Sequence, residues 1–118
     1  MNRKVSVAPM MDCTDRHERF FLRLISKNTL LYSEMVVSEA IHRGDKKKLL
    51  EFNINEKPIA LQIGGSSPTL LAEATKAGED FGYDEINLNL GCPSKKVEKN
   101  KFGACLMKEP NLVADCLS

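Results

Sequence analysis

Four short runs of strand-forming residues recur along the chain: Val5 to Met10, Leu30 to Met35, Ile59 to Ile63 and Ile86 to Leu90. They begin 25, 29 and 27 positions apart, and each gap holds apolar residues at helical spacing. Strand and helix therefore alternate. The first helix is expected to start near Thr14-Asp15, where Glu18 completes a capping-box spacing, with Phe20, Phe21, Leu24 and Ile25 on one face. The second is expected over Val36 to Arg43, stopped by Gly44. The third opens at Ser67-Pro68, an N-cap followed by a first-turn proline, and Gly82 closes it; its inner stripe reads Leu70, Ala74, Ala77 and Phe81. The fourth begins at Pro110 and carries Leu112, Val113 and Cys116.

Strands and helices alternating at a near-constant period predict right-handed βαβ units and a parallel sheet. Two architectures fit: an open doubly wound sheet, or four units of a (β/α)₈ barrel, which needs eight units and about 250 residues. Polar clusters fall at the C-terminal end of every strand: Pro9-Met10-Met11-Asp12, Ser33-Glu34, Gln62-Gly64-Gly65 and Asn89-Gly91-Cys92-Pro93. That edge is where parallel α/β folds bind ligands, so the four clusters predict one site.

Composition narrows the classes of function. The 118 residues, 42% hydrophobic and 28% charged, match a soluble globular protein of one ordinary domain. No apolar run approaches the roughly 20 residues of a membrane span. Met1 to Val5 lead straight into the first strand without a secretory h-region, so a cytoplasmic location and free thiols are expected. A net charge of +1 points by itself to neither nucleic acid nor membrane. The four cysteines and two histidines complete no metal-binding spacing, so no metal is expected.

The most informative stretch is Asn87 to Ser94, reading Asn-Leu-Asn-Leu-Gly-Cys-Pro-Ser. Asn87 and Asn89, one residue apart on a strand, share a face. Gly91 permits a sharp turn, and Pro93 holds Cys92 extended, which fixes where its sulfur points. A thiol is mostly protonated at neutral pH and can donate a proton, which makes Cys92 a candidate general acid; the competing reading is a buried structural cysteine. Gln62 offers a donor and an acceptor at a strand end, suited to a planar heterocycle, or to tying down a loop. The glycines after it lack a dinucleotide fingerprint. Lys95, Lys96, Lys99 and Lys101 against Glu98 alone give the segment from Ser94 to Phe102 a charge of +3, fit for phosphates or for a solvated loop. Lys46-Lys47-Lys48 is expected as solvated surface, Asp12, Asp15 and Arg16 as caps and ion pairs, and His17 as helix packing or surface. Cys13, Cys105 and Cys116 are expected in the core or half-buried.

Five segments together carry a resemblance: Ala8 to His17 (Ala-Pro-Met-Met-Asp-Cys-Thr-Asp-Arg-His), Leu31 to Met35, Leu61 to Ser66, Asn87 to Ser94, and Phe102 to Met107 (Phe-Gly-Ala-Cys-Leu-Met). In this order and spacing they resemble the N-terminal part of the tRNA-dihydrouridine synthases, in the A subfamily acting on D-loop uridines 20 and 20a. The resemblance spans essentially the whole chain. Cys13 stands where that family often has tryptophan, which reads as a packing difference. The resemblance implies an FMN-dependent flavoprotein that reduces uridine in tRNA with NADPH. It assigns Pro9, Met10, Met11 and Gln62 to the flavin, Cys92 to proton donation and Asn89 to the target uridine. It also implies that residues 1–118 are the first four βα units, the N-terminal half, of a TIM (β/α)₈ barrel. The second half-barrel and a helical RNA-binding domain would then be absent, leaving a fragment that is inactive alone. The alternatives are a flavin barrel acting on free pyrimidines, related to dihydroorotate dehydrogenase, and a non-catalytic half-barrel.

Overall fold

The structure is a computed structural model that describes residues 3–118. Its elements run β1 (Ser6–Val7), α1 (Arg16–Ile25), β2 (Leu30–Tyr32), β3 (Val36–Val37), α2 (Ser38–Arg43), α3 (Lys46–Leu50), a 3₁₀ turn (Ile54–Glu56) and β4 (Ile59–Gly64). They continue with α4 (Pro68–Phe81), β5 (Glu85–Leu88), α5 (Lys95–Lys99), a 3₁₀ segment (Gly103–Lys108) and α6 (Pro110–Leu117). All strand pairings are parallel. The fully buried β4 is central: β2 and β3 follow one another along one of its edges, and β5 pairs with the other through Ala60 to Ile63. Spatial order thus follows chain order, β1, then β2 with β3, then β4, then β5. A doubly wound sheet would reverse direction at a switch point, so this succession is the winding of a (β/α)₈ barrel.

Between β2 and β3 the register slips by one. Tyr32 pairs with Ala60 and Val36 with Ile63, so four steps along one strand match three along the other. This is a β-bulge over Ser33 to Met35, the kind of irregularity that re-aims side chains beside a site. The expected second helix accordingly loses its first two residues: Val36 and Val37, β-branched and extended, are strand, and the helix begins at Ser38.

One sheet face packs on helices. Leu61 and Ile63 of β4 join Leu71, Ala74 and Ala77 of α4, with Ile41 and Leu50 beside them and Ile86 and Leu88 partly buried against the cluster. The buried stripe of α4 is Leu71, Ala74, Ala77 and Gly78, turned from the expected stripe so that Leu70 and Phe81 are only half-buried. Gly78 explains the turn. A Cβ there would lie 2.5 Å from Ile86 Cδ1 and 2.8 Å from Leu61 Cδ2, so its bare backbone lets the helix sit against the sheet. Gly82 ends α4 in the left-handed conformation (φ 90°), as the sequence predicts.

Helix α1 departs from expectation. Asp15 caps it, accepting from the backbone N–H of His17 (3.0 Å) and Glu18 (2.9 Å). Its apolar face is open: Phe20, Phe21, Leu24 and Ile25 are 47 to 72% exposed. The residue that turns inward is Arg19, which donates from Nε to Glu56 Oε1 (2.6 Å) and from Nη1 to the Thr14 carbonyl (2.6 Å). Arg23 adds four bonds to the carbonyls of Ser26, Thr29, Glu56 and Pro58. Two guanidinium groups, rather than an apolar stripe, fasten α1 to the loops around β4.

The lysine-rich segment after Pro93 is also more ordered than expected. Ser94 Oγ accepts from Val97 N–H (3.3 Å) and caps α5, while Val97, Phe102 and Leu106 form a second small core. Lys46 to Lys48 open the short helix α3, and Lys46 pairs with Glu73 (3.2 Å). Among the described residues no helix is long and apolar enough to cross a membrane.

Candidate active site

The helix-facing residues of β4 and β5 leave Gln62, Asn87 and Asn89 on the opposite face of the sheet, by the two-residue period of a strand. At their C-terminal end a cavity of about 420 Å³ is lined by Pro9, Met10, Met11, Met35, Gln62, Asn89, Gly91 and Cys92. Pro9, Met10, Met11, Gln62, Asn89 and Cys92 meet there, while Asp12, Ser33, Glu34, Gly64, Gly65 and Pro93 of the expected strand-end clusters do not line it. Met35, delivered by the bulge, and Gly91 complete the wall. A second cavity of about 780 Å³ adjoins it, sharing Met11, Met35 and Cys92 and rimmed by Asp12, Glu39, Lys96 and Asn100.

Local structure holds each group in place. Thr14 accepts from Met10 N–H (3.0 Å) and donates back to the Met10 carbonyl (3.1 Å), closing the turn that presents Met10 and Met11. Asp12 within this turn takes a left-handed φ of 62°, which aspartate tolerates better than most residues. The Ser33 hydroxyl of the bulge accepts from Gln62 N–H (3.0 Å) and so anchors β4 at the glutamine. Behind the cysteine, Ala104 N–H donates to the Cys92 carbonyl (3.0 Å). Gly103 makes that approach possible: it has φ 67°, and a Cβ would lie 2.7 Å from the Cys92 carbonyl oxygen.

Three amides form a directed chain. Asn89 Oδ1 accepts from the backbone N–H of Cys92 (3.0 Å) and Gly91 (3.3 Å). Two backbone donors require an oxygen there, which fixes the Asn89 amide. Its Nδ2 then donates to Gln62 Oε1 (3.2 Å), and Gln62 Nε2 donates to Asn87 Oδ1 (2.9 Å). Gln62 is buried and retains one N–H and one lone pair for anything occupying the cavity. Sequence spacing placed both asparagines on one face; their bonds across to Gln62, and the bond from Gln62 N–H to Ser33, depend on neighbours that no local pattern encodes.

The remaining candidates lie apart. Lys96 reaches the second cavity, while Lys95, Lys99 and Lys101 are exposed. Arg16 and His17 are exposed on α1. Cys13 is exposed, contrary to its expected burial: it sits in the turn after Met10, where no core surrounds it. Cys105 and Cys116 are half-buried, and burial pushes the Cys116 thiol up. Among the described residues no cationic side chain lines the smaller cavity. Among the described residues no group of histidine, cysteine, aspartate or glutamate could hold a metal ion.

The family profile described as dihydrouridine synthase (Dus) matches residues 6–118. The tRNA-dihydrouridine(20/20a) synthase of Synechocystis is 60% identical over 114 residues, 97% of this chain and 34% of the relative. The proteins of the same name from Shigella flexneri and Pseudomonas aeruginosa are 58% and 56% identical, over 97% and 99% of this chain and 33% and 35% of their own lengths. The chain therefore spans about a third of the length of the curated relatives it matches. With strands wound in barrel order and the Asn-Leu-Gly-Cys-Pro loop closing a cavity at their C-terminal ends, the chain belongs to the dihydrouridine synthase family.

Proposed function

We propose that residues 1–118 form the N-terminal half of the catalytic barrel of a cytoplasmic tRNA-dihydrouridine synthase, which reduces uridines 20 and 20a of the D-loop. FMN is its cofactor and NADPH its reductant. The observation that carries this reading is the joining of Gln62, Asn89 and Cys92 by one hydrogen-bond chain around one cavity.

The residues present fit the flavin ring. Pro9 and the thioethers of Met10, Met11 and Met35 offer apolar walls, and the spare donor and acceptor of Gln62 suit a heterocycle with alternating polar edges. Among the described residues no cation lines this cavity to hold the FMN phosphate. Further residues must hold the phosphate, and the chain by itself is inactive. Held in this cavity by Pro9, Met10, Met11 and Gln62, a reduced flavin would supply a hydride for C6 of the uracil. Cys92 Sγ gives its proton to C5, so the C5=C6 bond is replaced by two C–H bonds, and the thiolate regains a proton from solvent. Asn89 faces the uridine while its Oδ1 holds the cysteine backbone. The base must leave the tRNA stack to reach this cavity, and the exposed lysines of α5, with Lys101, would meet the phosphates of the displaced strand.

A substrate-choice experiment tests the reading. The complete synthase carrying this sequence should oxidise NADPH when given unmodified tRNA and remain idle with free uracil or orotate. Turnover on the free pyrimidines without RNA would replace this reading with that of a free-pyrimidine dehydrogenase.

A further inference from the structure

The amide chain does not end at Gln62. Its last member, Asn87, lines neither cavity, yet its Oδ1 accepts from Gln62 Nε2 at 2.9 Å. We infer that Asn87 is a positioning residue, whose side-chain oxygen sets the orientation of the Gln62 amide and, through Asn89, the placement of the Cys92 backbone.

The argument runs from both ends of the chain. At one end the backbone N–H groups of Gly91 and Cys92 fix the Asn89 oxygen, and with it the polarity of the bond from Asn89 Nδ2 to Gln62 Oε1. At the other end only an acceptor suits Gln62 Nε2, and Asn87 supplies it. The Gln62 main chain is itself pinned by Ser33 Oγ (3.0 Å), so its side chain turns about a fixed base. Without the Asn87 acceptor, the amide can rotate and lose the Asn89 contact. It then offers the cavity an oxygen where it now offers an N–H. A buried amide N–H left unpaired is costly, which favours such a turn. The position needs an acceptor of this length, so aspartate should serve and leucine should not.

The inference rests on the proposed reaction, and its test separates the two. Asn87→Leu and Asn87→Asp are made in the complete synthase, with turnover on tRNA, flavin content and melting temperature measured for each. Alkylation of Cys92 by iodoacetamide is followed in the flavin-free protein by peptide mass spectrometry, with the exposed Cys13 as internal reference. Asn87→Leu should lower kcat about tenfold at unchanged KM for tRNA. It should also change the Cys92 alkylation rate relative to Cys13 by at least about threefold, whereas Asn87→Asp should keep both values near the parent. Equal behaviour of parent and Asn87→Leu, or equal impairment of both variants, would overturn the assignment. A loss of activity in Asn87→Leu that merely follows a lower melting temperature, with Cys92 alkylated at the parent rate, would overturn it too. The alkylation result stands even if the parent proves inactive on tRNA, an outcome that would count against the proposed function alone.

Discussion

Tyr83 shows how a residue outside the site reports on the packing that positions it. Its phenol donates to the Leu50 carbonyl (3.0 Å), and its ring meets Phe52 at a centroid distance of 4.6 Å. This joins the end of α3 to the turn before β5. Burial pushes the phenol's pKa up to about 12 from 10.0. A raised folded-state pKa stabilises the protein fully below pH 10, and that stabilisation is lost as pH rises to about 12. Tyr83→Phe should cost about 1 kcal/mol at neutral pH, where the hydrogen bond is lost, and should flatten the alkaline decline. Urea titrations of parent and variant from neutral to alkaline pH check this; an equally steep alkaline decline in both would refute it. At this scale the sequence was most readable where a residue's role follows from its chain neighbours. Cys92 between glycine and proline, and Gln62 before two glycines, could be found so. The Ser33–Gln62 and Gln62–Asn87 bonds could not, because each joins β4 to a distant part of the chain, the bulge or β5.

Among elements, α1 depends on ionic anchors where a hydrophobic stripe was expected. The Arg19–Glu56 pair is buried, and Glu56 Oε2 also accepts from Asn53 N–H (2.6 Å) to complete a capping box. Removing one member of such a pair leaves the other charge buried and typically costs about 3–5 kcal/mol. Glu56→Gln should therefore lower the unfolding free energy by an amount in that range, and Arg19→Met by a similar one. Their double variant should lose much less than the sum, because neither charge is then left alone. Chemical denaturation of the four proteins decides the point, and additive losses would contradict it. The helical pattern of Phe20, Phe21, Leu24 and Ile25 was read correctly as a face, but a face does not name what covers it. Strand β3 was hidden for another reason. Val36 and Val37 run into Ser38 without a break in polarity, and only the neighbouring edge of β4 makes them strand. Helix α5 was hidden by its lysines, although Ser94 and Val97 supplied the cap and the buried contact.

In the molecule as a whole, the succession of strands decides between the two architectures that periodicity left open, since repeat length is common to both. Among the described residues it also leaves β1 and β5 each paired on one side only, while the apolar face of α1 stays open. Unpaired edges and exposed apolar faces favour association, so the site is to be judged in the complete synthase. The amide chain ends on the Cys92 backbone N–H, so the thiol can be removed without disturbing the rest. Cys92→Ala in the complete synthase, with dihydrouridine in tRNA quantified by mass spectrometry, tests this most directly, with Cys105→Ala as control. The account predicts that Cys92→Ala retains flavin and accepts hydride from NADPH, yet forms dihydrouridine about 10² to 10⁴ times more slowly, while Cys105→Ala keeps the parent rate. Dihydrouridine formed by Cys92→Ala at the parent rate would contradict it.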